Sequence, residues 1–286
     1  MAKNKYALLD TDFVSKTHLI RKDEHNRLID LIMGMSNYRF FCHEQIRTEL
    51  ANHPLKDVRN WLDKKVKSKA IILYDDKRIL QELTKVYKKN AAAVYADMIK
   101  KACEAYSQGY FEQNFVRVSQ GRNLNIGNDE FLRNYALDCK DIGQGHNIGE
   151  IKSYVLLQVL QLVLGEQIYV FCSDDKDARN GVIHIGGVRC ISVVSSFLRL
   201  QREIGFTGEE AKPYIESYLK ECIDSKQKTF KVQDTSKERR LCKVPCEQVF
   251  EEMFCGKIEE TKAGTLRYVL LEPLSLDEKQ NPCVMV

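Results

Sequence analysis

The sequence predicts an α/β protein in which a mainly parallel sheet lies between two layers of helices. Over residues 1–204, short apolar runs alternate with stretches of helical length, which is the pattern of strands joined by crossover helices. Two of the apolar runs end in acidic residues. Because ligands of parallel sheets bind beyond the carboxyl ends of the strands, we expect the functional site at that edge of a three-layer α/β/α sandwich.

Five short apolar runs are candidates for the strands of this sheet. Four of them are predicted to be strands, and the first is a short apolar run that suits a buried parallel strand. The fifth, Ala70–Tyr74, fits either a strand or a buried turn of helix. The four predicted strands are Tyr6–Asp10, Tyr38–Cys42, Gln167–Cys172 and Gly187–Val194.

Helices are predicted between these runs. Residues 28–32 indicate one helix, and residues 43–52 indicate another that ends before Pro54, whose ring disfavours helix in the preceding residue. Residues 149–164 are apolar almost all round, which is typical of a helix buried on most sides. A further helix is predicted over 195–203.

The middle of the chain, about 76–149, is predicted to be a helical and loop insertion. Apolar residues recur at helical spacing over 76–115, which predicts a long helix or a helical hairpin. Residues 119–149 are rich in glycine and show little periodicity. We therefore expect a long loop there, with a short helix near 131–137.

Residues 205–286 are predicted to be a small α+β appendage to the 1–204 domain. Helices are predicted over 209–223 and near 246–254, with a polar stretch between them, and residues 265–271 resemble a strand. No motif in this part indicates its role.

The composition excludes several classes of protein. The 286 residues are 44% hydrophobic and 29% charged, close to globular averages. No apolar run reaches the roughly 20 residues of a membrane span, and the N-terminus lacks a secretory apolar core. The 10 cysteines are scattered through apolar segments, as reduced thiols are, and Cys242, Cys246 and Cys255 lack a nearby fourth zinc ligand. We expect a cytoplasmic protein.

Basic residues are concentrated in one stretch of the chain. The net charge is +4 overall, but residues 56–101 contain 13 basic and 6 acidic residues. Such a stretch suits a surface that faces phosphates. The alternative is a solvated, lysine-rich helix face.

Acidic residues mark the ends of two predicted strands. Asp10 ends the first, with Asp12 two residues later, and Ser173 to Asp177 follows the strand that ends at Cys172. These carboxylates are candidate metal ligands, because clustered acids repel one another and a divalent cation offsets that cost. The alternative is capping of the following helices, with Ser173 as the N-cap of the second.

Two glutamates complete the candidate set. Glu150 opens the predicted buried helix, where Asn147 and Glu150 also have the spacing of a capping box. Glu49 lies on the helix after the second strand and, taken alone, fits an ordinary solvated position.

The order of these acids resembles the PIN-domain nuclease family over about residues 5–200. The matching residues are the strand-tip Asp10 with Asp12, Glu49 in the helix after the second strand, Glu150 at the start of the central helix, and Ser173, Asp175 and Asp177 in a Ser-x-Asp-x-Asp segment. The sequence departs from a minimal member of that family in its 76–149 insertion and in residues 205–286.

The resemblance implies a metal-dependent endoribonuclease that uses Mg²⁺ or Mn²⁺. Asp10, Glu150, Asp175 and Asp177 would bind the metal, and Glu49 would complete the catalytic set. Asp12, Ser173 and Asp174 are further candidates. The partner would be a nucleic acid, with RNA expected, and the family allows homo-oligomers or a regulatory protein partner.

Two other functions compete with this one. Leu-Leu-Asp10-Thr-Asp12 and the Ser173–Asp177 segment also resemble haloacid-dehalogenase-like phosphatases, in which Asp10 would be a nucleophile and a lysine such as Lys152 would be required. A PIN-like scaffold that binds RNA or protein without cutting is the non-enzymatic alternative.

Overall fold

A five-stranded parallel sheet forms the centre of the computed structural model. The structure describes residues 5–35, 37–51, 56–107, 109–122, 126–143, 147–223, 229–234 and 240–269. The strands lie in the order β3-β2-β1-β4-β5 and every neighbouring pair is parallel. They are β1 (Lys5–Leu9), β2 (Tyr38–His43), β3 (Ile71–Tyr74), β4 (Ile168–Cys172) and β5 (Arg189–Ile191). The predicted α/β class and the mainly parallel sheet are confirmed.

Helices cover both faces of this sheet. Alternate residues of β1 point to opposite sides, so that Ala7 and Leu9 join one apolar cluster while Leu8 joins the other. Such alternation is a property of strands. The first face is covered by α1 (Thr11–Leu19), α2 (Leu28–Met33), α3 (Gln45–Ala51), α4 (Lys56–Lys67) and α12 (Val193–Ile204).

The second face is covered by the chain between β3 and β5. Its helices are α5 (Asp76–Tyr87), α6 (Ala91–Cys103), α7 (Tyr110–Asn114), α8 (Val116–Gly121), α9 (Asn128–Ile142), α10 (Ile148–Gln158) and α11 (Lys176–Gly186). The buried helix α10 continues as a π-helical segment, Val159–Val163. Residues 76–103 form a helical hairpin, because α5 packs on α6 and a turn at Lys88 separates them.

The short helix that we predicted near 131–137 is present, but it is longer than predicted and replaces much of the expected loop over 119–149. Helix α9 spans Asn128–Ile142, and Phe131 and Tyr135 on it are buried against Tyr95 of α6, with ring centroids 5.1 and 5.6 Å away. Gly127 and Gly143 flank this helix as its N-cap and C-cap residues. These glycines therefore mark the ends of a helix. The frequency of glycine over 119–149 does not indicate a loop.

The last strand of the sheet is also shorter than predicted. β5 ends at Ile191 because Ser192 starts α12 with a capping box, in which its hydroxyl accepts a hydrogen bond from the Ser195 amide. Reciprocal capping of this kind fixes a helix start, so the helix begins earlier in the chain than residue 195.

The C-terminal part contains a second sheet, in the order β7-β6-β9-β8. Its elements are α13 (Gly208–Glu221), β6 (Thr229–Gln233), β7 (Leu241–Pro245), α14 (Cys246–Phe254), β8 (Ile258–Glu260) and β9 (Leu266–Tyr268). Phe250 of α14 packs edge-on against Phe197 of α12 at 5.3 Å. This part therefore shares an apolar cluster with the first face of the parallel sheet.

The turn between β8 and β9 reaches the carboxyl edge of the parallel sheet. The Cys190 amide donates to the Lys262 carbonyl at 2.8 Å, and Arg179 of α11 donates through Nε to the Ala263 carbonyl at 3.0 Å and through Nη1 to the Ser173 carbonyl at 2.8 Å. The C-terminal part thus contacts the segment that follows β4. Among the described residues, no helix has the length and apolarity that crossing a membrane requires.

Candidate active site: an acidic cleft

A cleft of about 870 Å³ opens at the carboxyl ends of the strands, between α1, α3, α9 and α10. It contains most of the acids selected from the sequence, although they are far apart along the chain. The acids that line it are Asp10, Asp12, Glu49, Glu150 and Asp175. We call this site the acidic cleft.

Asp10 lies deepest in the acidic cleft. It follows β1 directly, its amide donates to the Cys172 carbonyl of β4 at 2.9 Å, and its carboxylate Oδ2 accepts a hydrogen bond from the Ser173 hydroxyl at 2.8 Å. Burial and the nearby charges of Glu150 and Glu49 raise its pKa to about 7, against the opposing hydrogen bond from Ser173. A substantial fraction of Asp10 is therefore protonated at neutral pH unless a cation approaches.

Glu49 reaches the acidic cleft from α3. The Thr11 hydroxyl donates to its carboxylate, and Gly149 at the start of α10 lies so close to this carboxylate that a side chain at position 149 would collide with it. Burial raises the pKa of Glu49, while the hydrogen bonds from Thr11 and Gln45 lower it. Thr11 and Gly149 therefore fix the orientation of this side chain.

Glu150 lies in the first turn of α10. The N-cap residue Asn147 has a left-handed backbone (φ 53°) and its side chain makes no capping hydrogen bond, so the capping box that the sequence allowed is not formed. Burial and the charges of Glu49, Asp175 and Asp12 raise the pKa of Glu150. A hydrogen bond from its own backbone amide opposes this increase, and the carboxylate lines the acidic cleft.

The aspartates of the Ser173–Asp177 segment lie in different places. Asp175, not Ser173, is the N-cap residue of α11, and its Oδ1 accepts hydrogen bonds from the Asp177 and Ala178 amides at 2.6 and 3.3 Å. Asp175 is exposed and also borders the acidic cleft. Asp177 is exposed and borders a neighbouring groove instead. The structure therefore separates two aspartates that the sequence grouped together.

Asp174 and Asp12 are joined by a lysine. Lys16 of α1 pairs with Asp174 Oδ2 at 2.7 Å and with Asp12 Oδ2 at 3.0 Å, and Asp174 Oδ1 accepts a hydrogen bond from the Val193 amide at 3.1 Å. Asp174 does not line the acidic cleft. Its contacts tie α1 to the start of α12, which is a structural role.

The central acids lack an ion-pair partner in the part of the chain that the structure describes, although the charge of Lys152 lowers the pKa of Glu49. Asp10, Glu49 and Glu150 form no ion pair with any residue in the described ranges. In the same part of the chain, no three His, Cys, Asp or Glu groups are close enough to bind one ion directly. Mg²⁺ usually retains several waters and needs only one or two carboxylates. The donor set therefore suits Mg²⁺ or Mn²⁺ held partly through water.

A second, half-buried carboxylate is bound to α10, the helix that carries Glu150. Asp76, at the start of α5, accepts hydrogen bonds from Lys152 Nζ at 2.8 Å, His43 Nε2 at 3.2 Å and the Tyr95 hydroxyl at 2.7 Å. The charges of Lys152 and His43 outweigh burial and hold the pKa of Asp76 well below its usual value. The sequence had not indicated this network.

Among the described residues that line the acidic cleft, the basic one is Lys140, on α9. Residues 56–101, which we expected to face phosphates, contribute nothing to that lining in the described ranges. Several of their basic side chains pair locally, as Lys65 does with Asp30 and Lys100 with Glu112. A phosphate-binding role for this stretch stays a prediction.

Comparisons with known proteins give no match, whether to protein-family models, to curated protein sequences or to solved structures. The functional interpretation therefore depends on the geometry of the acidic cleft.

Proposed function

We propose that this protein is a divalent-metal-dependent endoribonuclease with a PIN-like fold, which hydrolyses phosphodiester bonds in the acidic cleft. One observation carries the proposal. Asp10, Glu49 and Glu150 are held in one cleft. Burial raises the pKa of all three, the charges of neighbouring acids raise those of Asp10 and Glu150 further, and none of the three forms an ion pair within the described ranges. Such a site is stabilised by a divalent cation from solution.

Asp10, Glu150 and Asp175 would hold the metal, partly through its bound water molecules. A bound Mg²⁺ or Mn²⁺ would polarise the scissile phosphate and lower the pKa of a water molecule. Residues of the protein hold these carboxylates in position. Ser173 orients Asp10, and Thr11 and Gly149 orient Glu49.

Glu49 and Lys140 would act on the substrate side of the site. Glu49 would accept a proton from the attacking water, a role that its raised pKa supports. Lys140 lines the same cleft and would attract the phosphate backbone, a contact that is independent of sequence. Asp177, which we had included in the catalytic set, lies outside the cleft lining and has no role in this proposal.

The phosphatase alternative has less support. A haloacid-dehalogenase-like site requires a lysine near its nucleophile, whereas Lys152 is bound to Asp76. The non-catalytic scaffold gives no reason for carboxylates that raise one another's pKa values in a cleft, since unpaired buried charges are costly.

The test is cleavage of labelled RNA and single-stranded DNA in Mg²⁺, Mn²⁺ or EDTA. We expect RNA cleavage that needs metal and that falls at least about 100-fold in Asp10→Asn, since a metal site supplies several kcal/mol of transition-state stabilisation. Asp129→Asn, at an exposed aspartate of α9 outside the cleft lining, is the matched control and should cleave as the wild type does. Cleavage in EDTA, or undiminished cleavage by Asp10→Asn, would contradict the proposal. A beryllofluoride adduct on Asp10 would identify a phosphatase instead.

A further inference from the structure

A second groove, of about 710 Å³, opens beside the acidic cleft. Its volume lies within the roughly 300–1,000 Å³ of pockets that hold drug-sized ligands. Tyr106 and Tyr110 line one side of it, and Asn180 and His184 of α11 line the other. Asn147 lines both this groove and the acidic cleft. We call it the tyrosine groove, and it adjoins the acidic cleft at Asn147, next to the start of α10.

The two tyrosines are held as a pair on a rigid base. Their ring centroids are 5.3 Å apart, and Tyr106 lies nearly parallel to Tyr154 of α10, at 6.4 Å and 21°. Tyr154 is buried and its hydroxyl donates to the Ala178 carbonyl of α11 at 2.9 Å. Gly181 leaves room for the Tyr154 ring, because a side chain at position 181 would collide with it. The pair is therefore positioned before any ligand binds.

The charges of the tyrosine groove do not suit phosphate. Its described lining contains the carboxylates Glu104 and Asp177 and no lysine or arginine, so a phosphate backbone would be repelled. Nucleobases are neutral and stack on aromatic rings. The exposed side chains of Asn180 and His184 can hydrogen-bond base edges. The lining therefore suits bases, while the acidic cleft suits a metal-bound phosphate.

We propose that the tyrosine groove binds one or two unpaired bases of a single-stranded nucleic acid, next to the phosphate that lies in the acidic cleft. This inference rests on the proposed nuclease function, since the acidic cleft sets which ligand continues into the groove. Asn147, at the junction, would contact the nucleotide between the two sites. A duplex would not bind in this way, because its bases are paired and stacked within the helix.

The experiment separates binding from cleavage by using Asp10→Asn as the parent protein. Its affinity for a fluorescein-labelled ten-nucleotide oligouridine is measured by fluorescence anisotropy in Mg²⁺ at several salt concentrations. Tyr110→Ala should weaken binding by about 5- to 100-fold, the usual effect of losing one stacked base. Tyr110→Phe, which retains the ring, should bind within about twofold of the parent. His184→Ala should weaken binding by a smaller factor and leaves the aromatic pair intact.

Two further measurements show that bases are the ligand. The dependence of affinity on salt should be the same for the parent and Tyr110→Ala, because stacking releases no counterions. An abasic oligonucleotide of the same length should bind both proteins equally. Tyr87→Ala removes a half-buried tyrosine that does not line either site in the described ranges and should leave affinity unchanged.

Equal oligouridine binding by the parent, Tyr110→Ala and His184→Ala would overturn the inference, even if the wild type cleaves RNA. So would preferential binding of a duplex of the same length. If binding depends on Tyr110 as expected but the wild type cleaves nothing, the groove assignment stands and the nuclease proposal fails.

Discussion

Asp10 is buried and Asp76 is half-buried near the same edge of the sheet, and the charges around these two carboxylates differ. Asp76 is neutralised by Lys152 and His43, and its pKa falls. Asp10 has the Ser173 hydroxyl as its side-chain partner and two glutamates as neighbours, and its pKa rises. The chain therefore builds a complete ion pair at one position and leaves an excess of negative charge at the other.

Other buried acids resemble Asp76. Asp138 is paired with Arg117 at 2.9 Å and accepts a hydrogen bond from the Val118 amide, and Glu260 is paired with Arg199 at 2.7 Å. Burial of an unpaired charge is costly, so its persistence at the acidic cleft indicates a functional site. The missing positive charge is what we assign to the divalent cation.

The largest expected effect is on stability, because the ionised carboxylate of Asp10 lowers the free energy of unfolding. Its pKa is about 7 in the folded protein against a reference value of 3.8, so the folded state binds a proton more tightly than the unfolded chain. The free energy of unfolding should therefore fall as pH rises from about 4 to about 7, by up to about 4 kcal/mol. In EDTA at pH 8, Asp10→Asn should be more stable than the wild type by up to that amount.

Urea unfolding at pH 5 and pH 8 measures this difference. At pH 5 the advantage of Asp10→Asn should shrink, because Asp10 of the folded wild type is mostly protonated there. Glu49 and Glu150 are present in both the wild type and Asp10→Asn. The difference in stability between the two proteins therefore reports on Asp10. An advantage that is the same at both pH values would contradict the assigned pKa.

Lys152→Met should have the opposite effect on stability. It leaves the half-buried Asp76 without its main cation, and removing one partner of a buried pair costs about 3 kcal/mol. The double variant Lys152→Met/Asp76→Asn should recover part of the loss, since no unpaired charge then remains. Urea unfolding at neutral pH tests both. A loss below about 1 kcal/mol in the single variant would mean that Asp10 and Asp76 do not differ as we describe.

The two aspartates at the start of α11 should differ in cleavage. Asp175→Asn preserves the N-cap, because Asn and Asp cap helices about equally well, but it removes a charge from the acidic cleft. We expect cleavage to fall about 10- to 100-fold, as when a group supporting a metal site is removed. Asp177→Asn should change the rate less than threefold. Equal effects of the two substitutions would show that the cleft lining does not define the site.

Gly149→Ala should have the smallest effect of these variants. Its methyl group would displace the Glu49 carboxylate from Thr11, and we expect cleavage to fall about 10-fold, or about 1.4 kcal/mol. Gly127→Ala is a matched control, since Gly127 also begins a helix and has open space around its Cα. If both variants cleave at the wild-type rate, the position of Glu49 is unimportant for the reaction.

Local patterns predicted the sheet and part of the site. The strands that lead to Asp10 and Ser173 follow from apolar runs of strand length, and parallel strands bring their carboxyl ends together. The contacts between Glu49 and Gly149 or between Lys152 and Asp76 join residues that are 76 to 100 positions apart. No local pattern encodes such pairs. The separation of Asp175 from Asp177 likewise depends on where α11 begins, which the sequence left open between Ser173 and the aspartates.

Manganese binding tests the central claim most directly. Mn²⁺ is titrated into the wild type, Asp10→Asn and the control Asp177→Asn, and free ion is measured by electron paramagnetic resonance. The wild type and Asp177→Asn should bind one or two ions with a dissociation constant below about 1 mM, and Asp10→Asn should bind at least about tenfold more weakly. Absence of binding by the wild type, or equal binding by Asp10→Asn, would contradict the assignment of the acidic cleft as a metal site.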